Sequence, residues 1–363
     1  MRAEPMPCDD SARLLDEVAR ALEDRAPLRI RGGNSKAALG RAVMGREIDT
    51  RSHRGVVSYD PTELVITARA GTPLAELNAV LDEAGQMLPC EPPTFDDAAT
   101  LGGAVAAGLS GPRRPWAGSV RDFVLGCRMI TGEAKHLRFG GEVMKNVAGY
   151  DMSRLLAGSF GCLGLITEVS LKVLPKARAQ RSVTLELDAG EALRELSVWR
   201  KAALPVSGAC YLDGRLHVRL EGGVGSVAAA VDRIGGEDLD MRFWHALREQ
   251  RLAFFLEDQR PLWRLSLPNA TPLIGLPGAV LIDWGGAQRW LKSDAPSAAI
   301  RQIAAAAGGH ATRFSPLPGH AGNDDGNGPF APLAAPLLRF HQQLKQQLDP
   351  RGIFNPGRMY AEL

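Results

Sequence analysis

The stretch that decides the fold spans residues 145–174 and reads K-N-V-A-G-Y-D-M-S-R-L-L-A-G-S-F-G-C-L-G-L-I-T-E-V-S-L-K-V-L. Its glycines are Gly149, Gly158, Gly161 and Gly164. Asp151 can cap a short helix over residues 152–157, and Gly158 suits the left-handed turn that ends it. Alternating apolar residues then run to Pro175 and predict a half-buried strand. Two interpretations stay open: a tight helix–strand corner, or a loop that contacts a ligand.

Two other regions are rich in glycine. A short strand over residues 28–31 leads directly into Gly32-Gly33-Asn34-Ser35-Lys36, whose successive amides can form a concave site for an anion, with Lys36 adding positive charge. The second region, T-L-G-G-A-V-A-A-G at residues 100–108, has side chains too small to fill a core well, but it suits close approach by a flat ligand or another backbone. For the first region a plain glycine turn with a solvated lysine is the alternative.

Bulk properties narrow the class of protein. The 363 residues exceed what one core usually supports, which predicts two domains. A net charge of +2 offers no broad electrostatic attraction for nucleic acid or an anionic membrane. Five scattered cysteines without a C-x-x-C pair favour a reducing cytoplasm, and neither a signal peptide nor an apolar run of about 20 residues is present. We therefore expect a cytoplasmic protein that meets a membrane only through partners.

The order of predicted elements divides the chain into a first domain of intermixed strands and helices and an α+β second domain. Strands and helices are intermixed up to residue 177. In this region residues 120–130 are predicted to form one strand, and Thr72 is predicted to cap a helix. The first part of residues 178–314 has a βαββα order, which is typical of a ferredoxin-like layer. A helical run is predicted over residues 243–256, and the elements that follow it form a loose internal repeat. Residues 315–363 are predicted to be a Gly/Pro-rich connection, a helix over residues 337–348 and a compact closing turn.

Several kinds of site are disfavoured by context. The motif G-V-G-S-V-A at residues 223–228 resembles a dinucleotide-binding turn, but no suitable second strand with an acidic end follows it. The seven histidines never fall at H-x-x-H or H-x-H spacing, and the polar stretch holding His320, Asp324 and Asp325 is more typical of a solvated linker than of a metal loop. No G-x-S-x-G nucleophile motif occurs.

Four motifs taken together resemble a known family. R-G-G-N-S-K at residues 31–36, E-P-P-T at 91–94, the run at 100–108 and the stretch at 145–168 are similar to the FAD-binding domain of the vanillyl-alcohol-oxidase, or PCMH, type. W-G-G-A-Q-R-W at 284–290 and D-P-R-G-I-F-N-P-G-R at 349–358 extend the resemblance to the FAD-binding subunits of bacterial glycolate oxidases. The resemblance covers nearly the whole chain.

This resemblance implies an α+β fold in which a PCMH-type FAD-binding domain of two α+β subdomains (residues 1–177) carries a ferredoxin-like α+β cap domain (residues 178–314). Residues 315–363 would pack back on the FAD domain. The residues it implies for binding FAD are Arg31, Gly32, Gly33, Asn34, Ser35, Lys36, Pro92, Pro93, Thr94, Thr100, Leu101, Gly102, Gly103, Ser110, Gly111, Gly161, Gly164, Leu165 and Ile166. Some relatives attach FAD to a histidine, but the loops at 31–36 and 91–114 contain none, so we expect dissociable FAD. Valine at Gly164 is expected to exclude FAD while leaving the fold largely intact.

The implied function is that of an FAD-carrying subunit of a glycolate oxidase, which oxidises glycolate and related D-2-hydroxy acids to 2-oxo acids together with a second FAD-containing subunit and an iron–sulfur subunit. Self-sufficient relatives carry H-x-G-D-G-N-x-H late in the chain, whereas residues 319–328 read G-H-A-G-N-D-D-G-N-G. No catalytic or metal-binding residue is therefore predicted. Two alternatives stay open: a self-sufficient dehydrogenase that uses Arg113, Arg114 or His320, and a non-catalytic flavin-binding or assembly subunit.

Overall fold

The computed structural model describes residues 8–95, 98–141, 151–315 and 328–363. Its strands are β1 (Leu28–Arg31), β2 (Arg46–Asp49), β3 (Val56–Asp60), β4 (Val65–Arg69), β5 (Gln86–Met87), β6 (Val124–Ile130), β7 (His136–Gly140), β8 (Leu165–Lys172), β9 (Leu174–Pro175), β10 (Ala179–Glu186), β11 (Val206–Leu212), β12 (Arg215–Gly222), β13 (Glu237–Asp238), β14 (Leu262–Ser266), β15 (Ala279–Asp283), β16 (Gln288–Lys292) and β17 (His310–Ser315).

Its α-helices are α1 (Ser11–Asp24), α2 (Leu74–Glu83), α3 (Leu101–Ala107), α4 (Arg114–Ala117), α5 (Val120–Phe123), α6 (Met152–Leu156), α7 (Ala189–Lys201), α8 (Val224–Ile234), α9 (Arg242–Arg248), α10 (Ala253–Leu256), α11 (Ser297–Ala306) and α12 (Ala335–Leu348). Two compact units share these elements. Of the described residues, the first comprises 8–95, 98–109, 119–141, 151–175 and 332–363, and the second comprises 110–118, 176–315 and 328–331.

The first unit is built on a five-stranded antiparallel sheet of order β3-β4-β8-β6-β7 and a parallel pair of β1 and β2. Strand β8 lies at the centre of the sheet, so most of its residues are buried on both faces. Ser170, which alternation assigned to the polar side, is buried and its hydroxyl bonds that of Thr67 at 2.8 Å. The half-buried pattern predicted for this strand is therefore wrong, because a central strand is covered on both sides.

A second core in this unit joins distant parts of the chain. Leu14 and Val18 of α1, Leu28 of β1 and Ile48 of β2 are fully buried together with Phe354 of the closing turn. The amide of Leu28 donates to the carbonyl of Ile353 at 2.6 Å, so the closing turn adds directly to the edge of β1. As predicted, the end of the chain is compact.

The second unit is organised around one eight-stranded antiparallel sheet of order β13-β10-β12-β11-β15-β16-β14-β17. Strands β10 to β13 with α7 and α8 have the chain order and strand order of a ferredoxin-like layer. Counted from the other edge, β17-β14-β16-β15 repeats the same order, with α11 as its helix and a loop in place of the first helix. The predicted α+β class and internal repeat are confirmed.

Three predicted elements differ from the structure. Residues 120–123 form α5 and not the start of a strand, because Ser119 and Asp122 make a reciprocal capping box. The helical run at 243–256 is two short helices, since Gln250 adopts a left-handed conformation with φ of 54°. Thr72 does not cap α2, whose cap is Pro73; its hydroxyl instead accepts a hydrogen bond from the Gly55 amide at 2.9 Å.

Candidate functional site

The candidate site is a cleft of about 120 Å³ in the first unit. Three segments form most of its wall: the loop at residues 31–37, helix α3, and the turn between α6 and β8. Its lining residues are Ile30, Arg31, Gly32, Gly33, Asn34, Ser35, Lys36, Ala37, Thr50, Ala70, Thr100, Gly102, Gly103, Ala106, Ala107, Phe160, Gly161, Gly164, Ile166 and Asn355. None of them is acidic, and two, Arg31 and Lys36, are basic.

The loop after β1 is suited to an anion. Within the described part of the chain, the backbone amides of Gly32, Gly33, Asn34 and Ser35 donate to no protein group. Asn34 adopts a left-handed conformation with φ of 62°, which turns successive amides toward one side. Four amides with no internal partner beside a lysine are what a phosphate group requires.

Thr50 holds the start of this loop. Its amide and its hydroxyl both donate to the carbonyl of Arg31, at 2.9 and 3.1 Å. The Arg31 guanidinium is itself paired with Glu47 at 2.8 Å, so much of its charge is compensated. Lys36 lies over the ring of Phe95, 5.2 Å from its centroid, and donates to the Ser35 hydroxyl at 3.2 Å.

The glycines of this loop are required by its packing against neighbouring protein atoms, whether or not a ligand is bound. A Cβ at Gly32 would lie 2.5 Å from the Thr100 hydroxyl oxygen, and one at Gly33 would overlap the carbonyl of Ala98. The loop therefore packs directly against the start of α3. The close approach inferred from the sequence is real, but part of it is made by the neighbouring backbone.

Helix α3 explains the run of small residues at 100–108. The Thr100 hydroxyl accepts a hydrogen bond from the Gly103 amide at 3.3 Å, and Gly108 ends the helix with φ of 65°. A Cβ at Gly102 would lie 2.6 Å from that of Ala70, so only glycine lets α3 rest on the residue after β4. The sequence had indicated a flat surface here but not a helix.

The turn between α6 and β8 is tied to α3. The amides of Gly158 and Phe160 donate to the carbonyls of Val105 and Ala106 at 3.0 and 2.9 Å. As predicted, Asp151 caps α6, and Gly158 takes a positive φ of 87°. The first residues of the deciding stretch, 145–150, lie outside the described residues.

Asn355, which the sequence did not indicate, joins two walls of the cleft. Its carboxamide oxygen accepts from the Ile30 amide at 2.9 Å, and its nitrogen donates to the Phe160 carbonyl at 2.7 Å. A nearby cation, Arg358, donates to the carbonyls of Lys36, Ala37 and Arg41, and burial lowers the pKa of its guanidinium. The closing turn therefore holds the loop at residues 31–37 in place. The sequence did not indicate this role, because the two segments are more than 300 residues apart in the chain.

The predicted site residues divide into two groups. Those that line the cleft are Arg31, Gly32, Gly33, Asn34, Ser35, Lys36, Thr100, Gly102, Gly103, Gly161, Gly164 and Ile166. Those that do not line it are Pro92, Pro93, Thr94, Leu101, Leu165, Ser110 and Gly111. Leu101 and Leu165 are buried, and Ser110 and Gly111 belong to the second unit.

Substitution of Gly164 is a poorer test than the sequence suggested. A Cβ there would overlap the terminal carbon of Met129, a buried residue of β6, and lie 3.1 Å from the carbonyl of Ile130. Valine at this position would disturb the packing of β6 against β8. Loss of FAD from such a variant would then have two explanations.

Residues considered for other chemistry are engaged elsewhere or lie outside the described residues. Arg113 is buried and forms an ion pair with Glu221, and Arg114 stacks on Trp284 with 4.4 Å between guanidinium carbon and ring centroid. His320 and residues 319–327 lie outside the described residues. Among those described, no three His, Cys, Asp or Glu side chains are grouped to hold a metal ion, and all five cysteines are free.

The cleft fits one part of FAD. Ligand pockets for drug-sized molecules typically have volumes of about 300–1,000 Å³, so 120 Å³ corresponds to a fragment of the cofactor. Among the described residues, the unpartnered amides and the lack of acidic side chains in the lining suit an anionic group. In the described ranges no helix is both long and apolar enough to cross a membrane.

Comparison with known proteins agrees with this geometry. Residues 7–140 match the family described as FAD binding domain. The glycolate oxidase subunit GlcE of Escherichia coli (strain K12) is 61% identical over 356 residues, covering 98% of this chain and 99% of that protein. The chain belongs to the GlcE family of glycolate oxidase subunits. Most of the residues that match the FAD binding domain belong to the first unit, and the cofactor of this chain is FAD.

Relatives outside the GlcE family are matched over shorter stretches. The glycolate oxidase subunit GlcD of Bacillus subtilis (strain 168) is 28% identical over 174 residues, 46% of this chain and 37% of that protein. A D-lactate dehydrogenase of Anaerostipes hadrus is 31% identical over 130 residues, 36% of this chain and 27% of that protein. A solved alkyldihydroxyacetonephosphate synthase superposes with a TM-score of 0.64 at 18% identity, covering 96% of this chain and 75% of that one, which shows a shared fold.

Proposed function

We propose that this protein is the FAD-binding subunit of a glycolate oxidase that converts glycolate and related D-2-hydroxy acids to 2-oxo acids. The observation that carries the proposal is 61% identity to GlcE across nearly the full length of both chains. The cleft of the first unit supports it, because its free amides suit the anionic part of FAD.

The proposed cofactor is non-covalent FAD. Bound FAD would supply a two-electron acceptor for the hydride that leaves the carbon bearing the substrate hydroxyl. The chain's own residues would bind and orient it: amides 32–35 and Lys36 would hold the pyrophosphate, and Thr100, Gly102, Gly103, Gly161, Gly164 and Ile166 would form the surrounding wall. For Pro92, Pro93, Thr94, Leu101, Ser110, Gly111 and Leu165 we keep the flavin contacts that the family resemblance implies.

The proposed domains are an FAD-binding domain over residues 1–177, a cap domain over residues 178–314 and a closing segment over residues 315–363. The second unit has its own antiparallel sheet and its own helices, which supports a cap that folds as a separate domain. We assign the substrate-facing role to this cap.

The proposed partners are a second FAD-containing subunit and an iron–sulfur subunit. GlcE and GlcD are both named as subunits of glycolate oxidase, which supports a multi-subunit enzyme. We further propose a cytoplasmic location, with any attachment to the inner face of the cell membrane made by these partners.

Flavin spectroscopy tests the proposal. We would purify the full chain, record its absorbance between 300 and 550 nm, and add glycolate or D-lactate without oxygen, with and without the partner subunits. We expect a yellow protein whose flavin is bleached slowly or not at all alone and rapidly in the complex. Rapid bleaching of the isolated chain would indicate a self-sufficient dehydrogenase, and a colourless protein would refute FAD binding.

A further inference from the structure

One face of the second unit's sheet carries an unusual set of side chains. On strands β14, β16 and β17, Arg264 lies directly opposite Trp290 and Thr312, and Ser266 lies opposite Gln288 and His310. Opposite residues of antiparallel strands point to the same side of a sheet. The other side is apolar and packs on Ile300 and Ala304 of α11. The face with Arg264 therefore combines polar side chains with the aromatic rings of Trp290 and Phe314, while the apolar core lies on the other side.

Among the described residues, Arg264 has no anionic partner. Within the part of the chain that the structure describes, its guanidinium makes no ion pair and no hydrogen bond, and its Nε is buried without an acceptor. It lies over the ring of Phe314, 5.5 Å from the centroid. Burial, with a smaller effect of Arg114, lowers the pKa of Arg264 to about 10, so the group is still charged at neutral pH.

The contrast with Arg219 on the same sheet shows how a structural arginine is held. Arg219 is buried, donates to the hydroxyl and the carbonyl of Ser207 at 3.0 Å each, and lies 3.8 Å from a carboxylate oxygen of Glu221. Arg264 is half-buried, with an enclosed Nε and no such partners among the described residues. Its guanidinium is therefore available to an anionic ligand.

Two neighbours of Arg264 add hydrogen-bonding groups. Gln288 is 2% exposed, and its amide nitrogen donates to Asp283 at 3.1 Å, which leaves its Oε1 buried with no donor among the described residues. The Thr312 hydroxyl also has no partner within those residues. The face therefore presents one cation, one free acceptor and one hydroxyl around an aromatic floor formed by Trp290 and Phe314, whose centroids are 4.8 Å apart.

We propose that Arg264, Gln288 and Thr312 form a binding site for a small 2-hydroxy carboxylate. Arg264 donates to the carboxylate, and Gln288 accepts a hydrogen bond from the ligand's hydroxyl. Diagonal neighbours in a sheet are about 7–8 Å apart, which suits a ligand of few atoms. The identity of the ligand as a hydroxy acid rests on the proposed function, whereas the anion site itself does not.

Calorimetric titration of the purified, FAD-loaded chain with glycolate tests this site. Glycolamide, which has the same shape without the charge, is the control ligand. The variants are Arg264→Met, which removes the charge and can still pack against Phe314, Arg264→Lys and Thr312→Val. Arg242→Gln, an arginine on the surface of the same unit, is the matched control.

We expect glycolate but not glycolamide to bind, and Arg264→Met to weaken binding at least about tenfold, the loss expected for a charge-assisted hydrogen bond. Arg264→Lys should be intermediate because it keeps the charge without the fork geometry. Arg242→Gln should bind as the wild type does. Without ligand, the melting temperature of Arg264→Met should equal or exceed that of the wild type, since a half-buried charge without a carboxylate partner among the described residues has been replaced by an apolar side chain.

Three results would overturn the proposal: no glycolate binding by the wild type, unchanged binding by both Arg264→Met and Thr312→Val, or a marked fall in the melting temperature of Arg264→Met, which would show a structural arginine. Each is distinguishable from failure of the proposed function, because flavin content and oxidation by the assembled complex are measured separately. A colourless chain that still binds glycolate through Arg264 would keep this site and remove the flavin assignment.

Discussion

At the scale of single residues, the glycines of the cleft serve two purposes that sequence alone does not separate. Gly32 and Gly33 leave amides free for an anion, and they also let the loop touch the segment that begins α3. Asn355 and Arg358 then fix the loop from the far end of the chain. A substitution in this loop should therefore change both cofactor content and stability.

Gly33→Ala is the sharpest test of this loop. Its Cβ would overlap the backbone carbonyl of Ala98, which cannot rotate away. We expect destabilisation of about 1–3 kcal/mol and a loss of most bound FAD, measured by urea unfolding and by the ratio of absorbance at 450 and 280 nm. Gly225→Ala in α8, where a Cβ meets nothing within 4 Å, should keep its flavin and be slightly more stable. Full flavin content in Gly33→Ala would contradict the placement of this loop.

At the scale of elements, a single buried lysine holds α12 and the closing turn in place. The Lys345 ammonium donates at 2.7 Å to each of three oxygens: the carbonyls of Cys162 and Phe354 and the carboxylate of Asp349. Asp349 in turn accepts from the amides of Ile353 and Phe354, at 3.0 and 2.8 Å. This network connects the helix, the turn and the segment just before β8.

Lys345→Met should destabilise the first unit by about 3–5 kcal/mol, because it leaves the buried carboxylate of Asp349 without its cation. Urea unfolding followed by circular dichroism measures the change. Lys135→Met removes a lysine whose side chain is 61% exposed beside Glu133, and it should change stability by less than about 0.5 kcal/mol. Equal effects of the two substitutions would show that the network does not support the fold.

Strand β12 carries a histidine that makes the second unit sensitive to acid. Burial lowers the pKa of His217 from 6.5 to about 4, and its Nδ1 lies 2.9 Å from the Thr184 hydroxyl. Above pH 6.5 neither the folded nor the unfolded state carries the proton. As the pH falls from 6.5 toward 4, only the unfolded chain takes it up, so stability is lost.

At pH 5 this loss should amount to about 2 kcal/mol, from 1.36 kcal/mol per pH unit. His217→Asn should therefore lose less stability than the wild type between pH 7.5 and pH 5, whatever its stability at pH 7.5. Urea unfolding at the two pH values measures the difference. A wild-type and variant pair with the same pH dependence would show that His217 is not the responsible group.

At the scale of the whole molecule, the sequence of the loops that the family resemblance assigns to FAD predicts a dissociable cofactor. The loops at residues 31–36 and 91–114 contain no histidine, cysteine or tyrosine, the side chains that could form a covalent bond to flavin. We expect acid precipitation of the purified protein to release all FAD into the supernatant, measured by absorbance and fluorescence. Flavin that stays with the washed pellet would reveal a covalent link.

The prediction of the fold succeeded where local patterns and tertiary structure agree. The alternation of strands and helices after residue 176 was sufficient to indicate the ferredoxin-like layer and its repeat, because each strand is bounded by clear turns. It failed at α5, where the apolar run from Val120 conceals a capping box, and at α3, where glycine and alanine mask a buried helix. The bounds of the proposed domains and the FAD contacts stay predictions.

The amino-acid sequence by itself determined the α+β class and the three glycine-rich segments, because strand periodicity and glycine spacing are local properties, and its motifs indicated the family. Only the tertiary structure decided that Asn355 joins two walls of one cleft, and that amides 32–35 have no acceptor and Arg264 no anionic partner in the described part of the chain. The physical reason is that hydrogen-bond and charge satisfaction depend on groups distant in the chain. Pairing of β14 with β16 and β17 brings Arg264 beside Trp290 and Thr312. The pattern of apolar and polar residues in the sequence does not indicate whether a charged side chain has a partner among the described residues.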